Sequence, residues 1–248
     1  MDIVKFGDLA QKDKLDNLNT ASLRRISKEL LLHSKNLPIE YESSIFHRYM
    51  EENLKCHEFI ITGPEGTPYD SGCFHFRMYC TSEYPRTSPK VIICNTGKGK
   101  VRFNPNLYKC GKVCLSILGT WPGRASESWI PDQSTMMQIM ISIQSLVLIP
   151  DPYFNEPGYE NSIGKDEGIK QSNIYNNRIR LDCMNWAMID IIKNPVPGFE
   201  SVIKKHFSIK APYIKQTCQK WVEESISKTK TEYQAAYSEL CNLLDNLQ

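Results

Sequence analysis

Long apolar runs are absent from this chain of 248 residues. The longest aliphatic stretches, Leu146 to Ile149 and Val91 to Cys94, are four residues each, against the ~20 needed to cross a bilayer. Charge of one sign is equally scarce: 30 Lys and Arg face 28 Asp and Glu, a formal +2, too balanced to point to nucleic acid or a membrane surface. The first twenty residues carry Asp2, Lys5, Asp8, Lys12, Asp13, Lys14 and Asp16, with no apolar core of the kind a secretory signal requires. Also missing are the glycine-rich dinucleotide and P-loop patterns, the GxSxG elbow and HExxH, so the common nucleotide, serine-hydrolase and zinc-protease chemistries find no support. What remains, at 41% hydrophobic and 23% charged, is the composition of an ordinary globular protein of one or two domains.

Cysteine is the residue present in excess. Nine of them, an odd number at irregular spacing, fit free thiols in a reducing cytoplasm or nucleus better than a disulfide framework. Cys73 with His75, and Cys110 with Cys114, lack the paired spacing of a zinc site, so neither a metal nor a cofactor is expected. The question is which thiol reacts.

Leu23, Ile26 and Leu30 recur at helical spacing, with Arg24, Arg25 and Lys28 elsewhere on the wheel, and Pro38 stops that helix. Cys56 to Thr62 and Cys73 to Thr81 read as strands around a Gly63-Pro64-Glu65-Gly66 turn. In the second, Phe74, Phe76, Met78 and Cys80 face one way and His75, Arg77 and Tyr79 the other. Val91 to Cys94 adds a third strand, making an antiparallel meander. The Gly- and Pro-bearing stretch from Thr96 to Pro131 is expected to be ordered but irregular, and segments of that length inside a domain are usually functional. Met136, Met140, Ile143 and Val147 predict a buried helix within Gln133 to Ile149, closed by Pro150. A second irregular stretch, Asp151 to Gly168, follows. Leu181, Met184, Met188 and Ile191 predict another helix, and Tyr213 to Leu247 a single long amphipathic one. Helix, strands, irregular segment, then helices is an α+β order.

One string carries the chemistry. In FNPNLYKCGKVCLSIL, Phe103-Asn104-Pro105-Asn106 is followed eight positions after Asn106 by Cys114. This resembles the active-site signature of ubiquitin-conjugating enzymes, whose usual form is His-Pro-Asn with the catalytic cysteine at that spacing. GPEGTPYDSGCFHF resembles the family's strand pair, Tyr84-Pro85 with Pro89 its Tyr-Pro-x-x-x-Pro loop, Trp129 with Pro131 its Trp-x-Pro element, and Asp151-Pro152 its gate. These motifs keep the family order from about residue 20 to 195. VCLSILGTWPGRASESW and SIQSLVLIPDPYFNEPGYE resemble in addition the conjugating domain of giant inhibitor-of-apoptosis proteins of the BRUCE/Apollon type and related hybrid conjugase-ligases. Fourteen residues separate Cys114 from Trp129, more than ordinary members carry, with Gly119 to Ala125 as the insert.

The resemblance implies a UBC-like core over residues 21–195, an N-terminal flank over 1–20, and a helical extension over 196–248 packed on the core. It implies Cys114 as an accessible nucleophile that takes activated ubiquitin as a thioester and passes it to a lysine amine or a ligase. Asn106 would be the oxyanion donor or loop brace, and Asp151 the carboxylate that orients the amine or takes its proton. Asn104 stands where the family has histidine, a loop brace. Phe103 stands where many relatives have tyrosine, which removes a hydroxyl from the cleft. The basic residues around Cys114 (Lys98, Lys100, Arg102, Lys109, Lys112) are either a solvated face or a means of raising the thiolate fraction. Partners implied are ubiquitin, the activating enzyme, a ligase or a larger parent chain, and protein substrates, with no nucleic acid and no membrane. Arg24, Arg25 and Lys28 fit a basic first-helix docking role. Arg86 and the pair Pro131-Asp132 occupy the ligase-facing loops, where charge fits an apolar partner groove badly. Two other readings stay open: a catalytically silent ubiquitin-binding adapter of the same fold, and an enzyme for a ubiquitin-like modifier.

Overall fold

The computed structural model describes residues 18–247, so residues 1–17 of the expected N-terminal flank lie outside the described residues. Helix α1 (Thr20–Asn36) starts where the Asn19 side chain accepts from the Ser22 amide at 2.8 Å, which satisfies one of the amides a helix start leaves without a partner. It ends at Leu37, ahead of Pro38. The chain then forms a four-stranded antiparallel meander in the order β1 (Ile45–Met50), β2 (Asn53–Thr62), β3 (Cys73–Tyr79) and β4 (Lys90–Ile93). This is the α+β core that the sequence pattern implies, with one strand, β1, that hydrophobic alternation did not reveal.

Register puts Phe59 opposite Phe76 and Ile61 opposite Phe74, and the Phe59 and Phe76 rings stack at 5.0 Å. Both faces of the sheet are covered. Every residue from Lys55 to Thr62 is buried, and so are His75 and Tyr79 of β3. The C-terminal segment also returns to the edge strand. Arg48 of β1 donates to the Pro197 carbonyl at 2.5 Å and lies 5.9 Å from the Phe199 ring.

Helix α2 (Met136–Ser142) opens with a reciprocal cap: the Gln138 amide donates to the Thr135 hydroxyl at 3.2 Å and the Thr135 amide donates to Gln138 Oε1 at 2.9 Å. It widens into a π-helical stretch, Ile143–Val147. The face of Met136, Met140, Ile143 and Val147 is buried as its spacing predicts. Helix α3 (Asp166–Asp182) continues through a second π-helical stretch, Cys183–Ile189, and a last α turn, Asp190–Lys193. It begins fifteen residues before Leu181, the first position at which apolar periodicity marks a helix. The single long helix expected over Tyr213 to Leu247 is two: α4 (Glu200–Glu224), with Pro212 inside it, and α5 (Lys230–Asp245). The chain breaks between them because α3 supplies competing partners. Asn177 accepts from the Ile226 amide at 3.2 Å and donates to the Thr229 hydroxyl at 3.1 Å, and the Tyr233 hydroxyl donates to the Asn177 carbonyl.

Candidate active site

Beyond β4 the chain is irregular, as its glycines and prolines imply, but it is closely pinned. The Ile93 amide donates to the Gly111 carbonyl at 2.9 Å, and Leu107 bridges Val113, so residues 107–113 fold back along β4. Cys114 follows, its amide donating to the Asn106 carbonyl at 2.9 Å. The Asn106 side chain returns the contact, Nδ2 donating to the Cys114 carbonyl at 2.8 Å. The candidate nucleophile and the candidate carboxamide are therefore joined by two hydrogen bonds. A side-chain amide carries a second N–H, and that donor is the one available to an oxyanion.

Thr120 braces the far side of the cysteine. Its hydroxyl donates to the Val113 carbonyl at 2.8 Å and accepts from the Leu115 amide at 3.0 Å. Sequence reasoning passed over Thr120 because it lies in the insert, where only its length stood out.

Asn104 does the bracing implied for the family's histidine. It is wholly buried; Nδ2 donates to the Val147 carbonyl at 2.8 Å and the Tyr69 hydroxyl at 3.2 Å, and Oδ1 accepts from the Asn106 amide at 2.8 Å. The loop is thus tied to the end of α2. Phe103 corrects an expectation. It points into the core, edge-on to Phe74 at 5.1 Å, so the missing tyrosine hydroxyl is not lost from the cleft.

The thiol is less open than expected. Cys114 is 2% exposed, and burial pushes it up from the ordinary thiol value, with Lys112, Arg102 and Tyr108 pulling against that. Desolvation disfavours the thiolate, whereas the cations and the hydrogen bonds from Lys112 and Tyr108 favour it. Of the five basic residues grouped around this segment, Lys112 and Arg102 are the ones that act on the sulfur.

Asp151 is exposed and held by α3, Oδ1 accepting from the buried Ser172 hydroxyl at 2.7 Å. Asn176, also on α3, donates to the Pro150 carbonyl at 2.9 Å. Asp151-Pro152 leads into a 3-10 turn, Pro152–Asn155, whose Asn155 side chain donates to the Leu146 carbonyl at 3.1 Å and meets Asn104 Oδ1 at 3.4 Å. Asp151 thus reaches the cysteine loop through the backbone and Asn155, not by direct contact.

Beside Cys114 runs a groove of ≈560 Å³ between α2 and the insert, whose wall includes Asn106, Leu115, Ser116, Trp121, Glu127 and Gln138. The insert is shaped, not loose. Gly119 takes φ +65°, a conformation open to glycine at little steric cost, and Ala125–Glu127 forms a 3-10 turn.

The surfaces expected to meet partners divide. Arg24 and Lys28 are exposed. Arg86 is exposed and pairs with Glu83 at 3.0 Å. Arg25 is turned inward: Nε lies 2.5 Å from Glu29 Oε1, and the guanidinium donates to the carbonyls of Pro131 at 3.4 Å and Ser134 at 2.5 Å. Its charge ties α1 to the segment before α2, which removes it from a docking role, and Pro131 is half-buried against it. Trp129 closes the other side, Nε1 donating to the Pro85 carbonyl at 2.7 Å. Among the described residues no group of three or more His, Cys, Asp and Glu is placed to hold a metal ion, and no helix is long and apolar enough to cross a membrane.

Comparison with known proteins gives the same picture. Residues 25–183 match the family described as ubiquitin-conjugating enzyme. The chain is 64% identical over 249 residues to the probable ubiquitin-conjugating enzyme E2 R521 of Acanthamoeba polyphaga mimivirus, covering 100% of this chain and 17% of that protein. It is 44% identical over 222 residues to the dual E2 ubiquitin-conjugating enzyme/E3 ubiquitin-protein ligase BIRC6 of Homo sapiens, covering 89% of this chain and 5% of that one. To the probable ubiquitin-conjugating enzyme protein 17 of Caenorhabditis elegans it is 42% identical over 200 residues, 81% of this chain and 27% of that one. The chain therefore spans only a small part of these relatives' length.

Proposed function

The chain belongs to the ubiquitin-conjugating enzyme family, and from that membership we propose that Cys114 carries activated ubiquitin as a thioester and hands it to a lysine amine of a protein substrate or to a ligase. In the loading step the Cys114 thiolate attacks the carbonyl carbon of the activating enzyme's thioester. A new C–S bond forms, the old one breaks, and the activating enzyme's cysteine leaves as thiolate. In the transfer step an amine nitrogen attacks the Cys114 thioester, a C–N bond forms, the Cys114 thiolate leaves, and the amine proton passes to a base.

Asn106 has the second role. Its free N–H donates to the oxyanion that develops in the transfer step, and removing one such donor typically costs ~10²–10³ in rate. Asp151 has the third: a lysine with a reference pKa of ~10.4 is almost wholly protonated at neutral pH, and a carboxylate at the cleft edge orients the ammonium or takes its proton. The observation that carries this reading is the pair of hydrogen bonds between Asn106 and Cys114, which holds a carboxamide on the backbone of the residue that bears the thiol. Residues 21–195 form the conjugating core in this reading and 196–248 an extension. The described cysteines, all free thiols, suit the cytoplasm or nucleus.

The test is incubation with activating enzyme, ATP and either ubiquitin or a ubiquitin-like modifier. The expected product is an adduct that reductant removes, and Cys114→Ser converts it to a reductant-resistant ester. Asn106→Ala still loads but transfers to free lysine ~10²–10³ more slowly. No adduct with any modifier makes the chain a silent adapter. An adduct formed only with a ubiquitin-like modifier changes the cargo and leaves the mechanism. An adduct that survives Cys114→Ala overturns the site.

A further inference from the structure

The cover over Cys114 is built from one turn and its neighbour. Between Tyr108 and Lys112 the chain doubles back, the Tyr108 amide donating to the Lys112 carbonyl at 2.9 Å and the Gly111 amide to the Tyr108 carbonyl at 2.8 Å, with Gly111 at φ +91°. The two side chains then lie together, Lys112 Nζ 5.7 Å from the Tyr108 ring centre. Arg102 lies over the same ring at 4.6 Å. Its guanidinium donates to the Pro105 carbonyl at 2.7 Å and pairs with Glu156 at 3.1 Å. Glu156 directly follows the 3-10 turn Pro152–Asn155, so this ion pair joins the cysteine loop to the segment that starts at Asp151.

Cys114 is 2% exposed, while Lys112 and Arg102 are exposed and Tyr108 half-buried. The sulfur is thus closed off close to the surface, and Lys112, Arg102 and Tyr108 are the side chains that act on it. Attack on a thioester needs the carbonyl carbon within ~3–3.5 Å of the sulfur along an open line, which a cover of this kind blocks. Cation–π contacts and ion pairs at exposed sites are individually weak, so the cover can open without unfolding the loop beneath it.

We propose that Arg102, Tyr108 and Lys112 form a clasp over the Cys114 sulfur, latched by Glu156, which shields the thiol from stray electrophiles and swings aside to admit the activated modifier. The proposal rests on Cys114 being the thioester carrier. The charged and hydrogen-bonding groups that act on the thiol are Lys112, Arg102 and Tyr108, and Glu156 pairs with Arg102. Within the clasp Lys112 is a positioning residue and the counter-ion of the thiolate, and Tyr108 supplies the ring that holds both cations in place.

The experiment is alkylation of the full chain by iodoacetamide, read by peptide mass spectrometry, with exposed Cys110 as the standard on the same turn. Tyr108→Ala is expected to speed Cys114 relative to Cys110 about tenfold, the combined scale of two exposed cation–π contacts. Glu156→Gln is expected to speed it about two- to threefold, and Tyr108→Phe, which keeps the ring, to leave the ratio near that of the parent. Lys112→Met keeps the length of the side chain without its charge and is expected to move the midpoint of the Cys114 pH–rate profile upward; Lys112→Arg is expected to restore it. An unchanged Cys110 rate shows that the turn has kept its fold. The clasp is overturned if Tyr108→Ala and Glu156→Gln both leave the Cys114 to Cys110 ratio unchanged, or if Cys114 of the parent reacts as fast as Cys110. Alkylation uses neither modifier nor activating enzyme, so a failed loading assay strikes the thioester reading and an unchanged ratio strikes only the clasp.

Discussion

Arginine, glutamate and tyrosine meet both beneath α1 and beside Cys114, and these two meetings differ in almost everything but composition. In the first, Glu29 of α1 accepts from Arg25 at 2.5 Å, from the Tyr84 hydroxyl, and from the Met136 amide at the start of α2 at 2.7 Å. Its side chain is 3% exposed. In the second, Arg102 pairs with Glu156 and lies over Tyr108, with the ion-pair side chains 39% and 37% exposed. Burial makes the first set a rivet joining α1, the Tyr84-Pro85 loop and α2, because each of its groups would be left unpaired in a dry site if a partner were lost. Exposure makes the second set a latch, since water can take over every contact it gives up. The same three residue types serve as scaffold in one place and as a moving part in the other.

Acid gives the largest expected effect, and it falls on the buried side. His33 of α1 faces Glu29, and its ring meets His47, which meets His57, at 3.2 Å in each case. Burial holds His57 down to about 4 and His47 well below its ordinary value. His206 on α4 is likewise held to about 4, mainly by burial. In the unfolded chain His57 and His206 each take a proton at pH ~6.5, whereas the folded chain refuses it until about 4. Stability is therefore complete above pH 6.5 and lost as pH falls through that window, by about 3 kcal/mol for each of His57 and His206. Urea unfolding at pH 7, 5.5 and 4.5 measures this, and a flat profile would show the histidines to be hydrated. Next in size is Glu29→Ala, expected to cost ~3–5 kcal/mol by leaving Arg25, Tyr84 and Met136 without their acceptor. A loss under ~1 kcal/mol would erase the distinction between rivet and latch. Tyr84→Phe removes one donor and leaves Glu29 its other two, so ~1–2 kcal/mol is expected in the same assay.

Reading the sequence recovered the parts of this picture that show as spacing. The interval from Asn106 to Cys114, the strand at Cys73–Tyr79 and the buried face of α2 are all periodicities or fixed distances, and the structure keeps them. What it missed was set by tertiary partners. Ile45–Met50 alternates too weakly to mark β1, because His47 takes a core-facing position that a pattern reader gives to an apolar residue. The first half of α3 buries Ser172, Asn176 and Asn177, polar residues that carry no hydrophobic signal but hold Asp151, Pro150 and the break between α4 and α5. Arg25 read as a surface charge because its partner carbonyls, those of Pro131 and Ser134, are more than a hundred residues away. The cover over Cys114 was hidden for a related reason. Basic residues near a thiol predict a lowered pKa, but the same thiol is buried, and burial outweighs the cations.

The smallest expected effect is the sharpest test of the comparison. Glu156→Gln breaks the Arg102 ion pair at a site where both side chains are more than a third exposed, so the unfolding free energy should change by no more than ~0.5 kcal/mol. Glu29→Gln, with the same change of charge on a buried carboxylate, should cost several times more, because Arg25 then keeps a half-buried charge with no anion. If the two substitutions cost the same, exposure is not what separates rivet from latch, and Arg102 must be fixed by its 2.7 Å contact to the Pro105 carbonyl rather than by Glu156. A loss above ~2 kcal/mol at Glu156 would make the cover part of the folded frame, and the thiol beneath it could then be reached only by opening the loop itself.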